Sequence, residues 1–104
     1  MAETIFVIEH SAGPAWVDGT PYPEQPGIER HIAFMRSLDE RGVLILGGPF
    51  TDLHAGAPVG MALVRLGSQE EAEALASGDA SVSAGLIRYR VRPWRVPMGS
   101  ALEA

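Results

Sequence analysis

Three short runs of the chain, TIFVIE at 4–9, VLILGGPF at 43–50 and PVGMALVRL at 58–66, are apolar at odd and even positions alike. A strand built from such a run has to bury both of its faces. A fourth run, LIRYRVR at 86–92, alternates instead, with Ile87, Tyr89 and Val91 on one side and Arg88, Arg90 and Arg92 on the other, and ends at Pro93. Two segments between these runs carry helical spacing. From Ile28 the apolar residues Ile28, Ile32, Met35 and Leu38 keep to one stripe, and Gly42 stops it. Ser68 and Glu71 form a capping box before Ala72, Leu75 and Ala76; Gly78 ends that helix, and Asp79 is placed to cap a further short turn through Ala84. With a hairpin turn at 51–57, the order is βαββαβ. This predicts a ferredoxin-like α+β fold, an antiparallel sheet with two helices on one face. Two helices leave the other face uncovered, and a homodimer whose sheets face each other, a dimeric α+β barrel, would cover it.

The chain has 104 residues, 46% of them hydrophobic, which fits one domain over 1–104. Without cysteine it has no disulfide scaffold, thiolate metal site or cysteine nucleophile, a composition compatible with the cytoplasm. A net charge of -5, with every basic side chain an arginine, argues against nucleic acid as a partner. No run approaches the ~18 apolar residues of a membrane span, and the acidic N-terminal stretch MAETIFVIEH lacks a basic leader region. The expectation is a soluble protein that binds no membrane.

Chemistry-bearing residues are few. His31 falls in the middle of the inward stripe of the first helix, and Asp79 stays in phase with the buried stripe of the second if the helical path continues through Gly78. An Asp beside a His orients the ring and fixes its tautomer, which suits general acid or base work. The alternative is a core histidine bonded to a backbone carbonyl and an aspartate that only caps. His10 and His54 read as solvated loop residues. No HxH or HxxxH pair exists, so no metal and no cofactor are expected. The loop at 10–27, rich in Gly and Pro, is long enough to be functional, with Trp16 and Tyr22 as candidate pocket walls. Gly47, Gly48 and Pro49 read as a bulge or close backbone approach where a ligand can come near. The arginines of the fourth strand guard a sheet edge or meet an anion. Serine hydrolase chemistry is disfavoured by the lack of a GxSxG motif.

The segments Gly13-Pro14-Ala15-Trp16, Glu24-Gln25-Pro26, His31 with Phe34-Met35, Leu46-Gly47-Gly48-Pro49, Leu75 through Asp79, Gly85-Leu86 and Trp94 together resemble the YCII-related family. The resemblance implies a dimeric α+β barrel similar to that of muconolactone isomerase. It also implies a catalytic pair, an inward His and an Asp after the second helix, which correspond to His31 and Asp79. One branch of the family eliminates HCl from chlorinated hydroquinones. The chain departs from the family pattern where a proline usually follows the Asp, since Ala80 stands there. The expected function is a small cofactor-independent lyase or isomerase moving a proton with His31 and Asp79, with Trp16, Gly48 and Pro49 touching substrate. The alternative is a non-catalytic dimer that holds a small molecule in the same cavity.

Overall fold

The computed structural model describes residues 3–99. Its elements are β1 (Glu3–Ala12), α1 (Ile28–Glu40), β2 (Leu44–Pro49), β3 (Gly60–Val64), α2 (Gln69–Ser77), α3 (Ala80–Ser83) and β4 (Ile87–Val96). The sheet order is β2-β3-β1-β4 and every neighbouring pair is antiparallel, the ferredoxin-like arrangement expected from the order of elements. Phe6 and Ile8 of β1, Ala62 and Val64 of β3 and Val91 of β4 are buried together with Leu38 of α1 and Ala72 and Ala76 of α2. The alanines let α2 lie close to the sheet.

The helix ends follow from local chemistry. Gly42, at φ +72°, donates its N–H to Asp39 O, and Val43 donates to Leu38 O, so the last turn of α1 closes in a left-handed cap that favours glycine. Ser68 accepts a hydrogen bond from Glu71 N at 3.2 Å and opens α2.

Some boundaries differ from the sequence reading. β1 runs on through His10, Ser11 and Ala12, which pair with Tyr89, Arg88 and Ile87, so the long loop starts at Gly13 rather than at 10. A single 3-10 turn, Tyr22–Glu24, interrupts it. β4 passes through Pro93 to Val96, and proline is tolerated because β4 is an edge strand whose outer side has no ladder to complete.

The loop is held by two devices. Gly13 donates to Leu86 O at 2.8 Å and lies so close to β4 that a Cβ would sit 2.2 Å from Gly85 O. The buried Gln25 amide accepts from Val17 N and donates to Val17 O and Thr20 O, each at 2.8 Å. Trp16 packs half-buried against a second cluster of Ile28, Val59, Leu86 and Ile87.

On the sheet face away from the helices, Val7, Leu63 and Leu46 line up across three strands, and Leu46 is 61% exposed. Beside them Arg88, Arg90 and Arg92 are exposed, and Arg92 lies 3.6 Å from Glu9.

Candidate active site

Asp79 reaches the interior by a route that helical phase did not describe. α2 ends at Ser77, Gly78 caps it, and Asp79 takes an extended conformation as the N-cap of α3. The helical path expected through Gly78 is therefore broken, because a cap needs non-helical backbone angles. The two carboxylate oxygens divide the work. Oδ1 accepts from Ser81 N at 2.9 Å and from Ser81 Oγ at 2.7 Å, while Oδ2 meets His31 Nδ1 at 2.6 Å. Asp79 both caps and pairs, so the two alternatives weighed from sequence are combined in one residue. Ala80 cannot preorganise this turn as proline would, and the Ser81 hydroxyl supplies the fixing contact.

Burial pushes the Asp79 carboxyl up, but the hydrogen bonds from His31 and Ser81 and the nearby His31 charge outweigh it and hold the group below the usual carboxylate range. An ionised carboxylate only accepts, so His31 Nδ1 carries the proton. In the neutral ring Nε2 then keeps the lone pair, which makes it the atom able to take a proton from a substrate.

His10 corrects the sequence reading most sharply. It is 2% exposed rather than solvated, because β1 extends past it and places it on the same face as Phe6 and Ile8. Its ring meets His31 edge-to-face at 4.6 Å between centroids. Burial, reinforced by the His31 charge and only partly opposed by Asp79, lowers its pKa to about 4, so it is neutral at pH 7. Tyr22 also meets His31 edge-to-face, at 6.4 Å, and Phe34 stacks on it at 6.4 Å. Burial and the Asp79 charge push the Tyr22 phenol up to about 12, so it stays protonated. His54 is exposed, as expected.

These groups open into a cavity of about 910 Å³ lined by His10, Tyr22, His31, Met35, Gly48, Pro49 and Phe50 among others. Gly48 and Pro49 thus line the same cavity as His31. Trp16 does not line this cavity. It borders a neighbouring depression with Val59 and His54, and Tyr22 stands between the two, 6.1 Å from Trp16. The loop contributes Tyr22, not Trp16, because the Gln25 clamp folds its first half toward Val59 and Leu86. His10, His31 and Asp79 bring nitrogen and oxygen atoms within 4.8 Å of one another, a donor set that can surround a cation. Both Asp79 oxygens are already engaged, so the geometry works as a hydrogen-bond chain.

Sequence reasoning missed His10 and Ser81. Counting β1 on at the strand period of two from Phe6 and Ile8 would have placed His10 on their face, and Ser81 stands two residues after the Asp, where a capping side chain finds its N–H.

Comparison with curated proteins gives no significant match. Among solved structures, 5-chloro-2-hydroxyhydroquinone dehydrochlorinase from Burkholderia phenoliruptrix AC1100, in complex with 2,5-dihydroxybenzoquinone, is similar in fold. The TM-score is 0.60 at 20% identity, over 86% of this chain and 92% of that one. Residues 5–95 match the YCII-related domain, which is most of the chain. The chain belongs to the YCII-related family.

Proposed function

We propose that this protein is a small, cofactor-independent lyase or isomerase that moves a proton on a small oxygenated ring compound. The observation that carries the reading is the buried 2.6 Å contact from Asp79 Oδ2 to Nδ1 of His31, whose ring lines a cavity with aromatic and methionine walls. Asp79 holds the ring and its tautomer, His31 Nε2 takes the proton, and the resulting imidazolium is stabilised by the carboxylate. The walls of Tyr22, Phe50 and Met35 suit a flat ring. Gly48 and Pro49, at the rim, bring backbone close to it. The similar fold of a 5-chloro-2-hydroxyhydroquinone dehydrochlorinase in complex with 2,5-dihydroxybenzoquinone supports the same class of small oxygenated ring.

The test is to incubate the protein with chlorinated hydroxyhydroquinones and with unsaturated lactones, following halide release and ring isomerisation by NMR. Turnover by wild type that is lost in His31→Gln is expected. Binding without turnover of any of these compounds would contradict the reading and favour a ligand-holding dimer.

The protein works as a homodimer in this proposal. Support comes from the apolar line of Val7, Leu63 and Leu46 on the open sheet face. Burying that face in a stable interface takes at least about 1,000 Å². Light scattering at micromolar concentration should report a dimer; a monomer would contradict it.

A further inference from the structure

His10 is unassigned in the mechanism above. Its Nε2 is, among the described residues, the one fully buried side-chain nitrogen or oxygen with no hydrogen-bond partner. The ring lines the cavity and sits 4.6 Å from His31 with the planes at 77°. Opposite it on β3 stands Gly60, which adds no side chain to the space. Buried polar atoms are almost always satisfied, and one that is not, on a ring that lines a cavity beside a candidate base, calls for a functional account.

We infer that His10 contacts the substrate, its neutral imidazole donating a ring N–H hydrogen bond to a carbonyl oxygen next to the carbon that His31 deprotonates. The inference rests on the proton-transfer reading of the cavity and names its substrate more narrowly: a carbon acid whose C–H lies beside a carbonyl. The two imidazoles are set apart by their surroundings. His31 has the Asp79 carboxylate in contact and becomes the cation, whereas His10 has no carboxylate in contact and stays uncharged. A neutral imidazole is an effective electrophile toward a developing oxyanion because its N–H is not surrendered.

The step balances without another reactant. The C–H bond breaks and its proton passes to His31 Nε2. The electron pair forms the C=C of an enolate, whose oxygen charge is met by the His10 N–H. Where a further C=C is conjugated with it, the enolate takes the proton back from His31 at the far end of that C=C, which is isomerisation; where the adjacent carbon bears a leaving group, the enolate expels it as an anion, which is elimination.

Two variants test it, His10→Phe, close in shape but without a polar atom, and His10→Asn, which keeps an N–H donor. Thermal unfolding and titration with 2,5-dihydroxybenzoquinone are the readouts. His10→Phe should raise Tm by roughly 4–8 °C, because an unpaired buried polar atom is removed. It should also weaken binding of the quinone about tenfold, the worth of one hydrogen bond to an anionic oxygen, with affinity substantially restored in His10→Asn. A lowered Tm in His10→Phe, or unchanged affinity, would overturn the inference. If wild type does not take up the quinone, the hydroxyquinone class fails and the comparison is made with an unsaturated lactone: weaker binding by His10→Phe than by wild type upholds the inference, and equal binding or none overturns it.

Discussion

Replacing Asp79 with asparagine should reverse the tautomer of His31. In the native protein Oδ1 is committed to Ser81 N and Oγ, and Oδ2 accepts from His31 Nδ1 at 2.6 Å. An asparagine that keeps its oxygen on Ser81 must turn its NH2 toward His31. Nδ1 then has to accept, the ring proton moves to Nε2, and the nitrogen facing the cavity loses its lone pair. A charge-assisted hydrogen bond between side chains 4% and 0% exposed gives way to a neutral one. The exchange costs about 1 kcal/mol, or roughly 4–8 °C in Tm for a domain of this size. Catalysis should suffer far more, on the order of 10⁴-fold, as it does when a triad aspartate is made asparagine and the histidine adopts the wrong tautomer. Long-range 1H–15N NMR on histidine-labelled protein reads the tautomer without a substrate. A His31 that keeps its proton on Nδ1 in Asp79→Asn would refute the reasoning.

Three further outcomes are expected. His10, lowered from 6.5 to about 4, binds a proton in the unfolded chain that the folded protein refuses, so stability should fall by up to about 3 kcal/mol from pH 6.5 to 4. Asp79, whose pKa is depressed, keeps its contribution above about pH 4 and loses it below; urea titrations across pH should show both limbs, the first missing in His10→Phe and the second in Asp79→Asn. Ser81→Ala deletes the 2.7 Å contact to Asp79 Oδ1 and should cost about 1.5–3 kcal/mol by urea unfolding; a neutral effect would mean the hydroxyl does not hold the carboxylate. Gly13→Ala should destabilise by about 1–3 kcal/mol, since its Cβ would meet Gly85 O at 2.2 Å, whereas Gly48→Ala, which would meet nothing within 4 Å, serves as the control.

The fold was legible because its signals are local and periodic. The Ile28 to Leu38 stripe, the Gly42 stop and the Ser68 cap each act within a few residues. The His31–Asp79 pairing was legible only in part. Phase placed His31 correctly, but Asp79 arrives through a broken helix and a second cap, a backbone path that no periodicity encodes. The boundary at His10 was misread because strand extension is decided by partners far along the chain, Tyr89, Arg88 and Ile87, and not by the Gly- and Pro-rich residues that follow it. That error hid the second imidazole. The side on which Trp16 lies was not legible for a similar reason, since the loop is directed by the buried Gln25 amide, which bonds Val17 eight residues away.

Proton transfer at carbon by His31 is most directly tested by solvent exchange. The ring C–H of 2,5-dihydroxybenzoquinone exchanges in D2O by delivery of a deuteron to that carbon and loss of the proton from the CHD so formed, the two directions of transfer at His31; its 1H NMR signal with a catalytic amount of protein should disappear far faster with wild type than in buffer, and at the buffer rate with His31→Gln. Exchange by wild type no faster than buffer, or equal exchange by His31→Gln, would contradict the account.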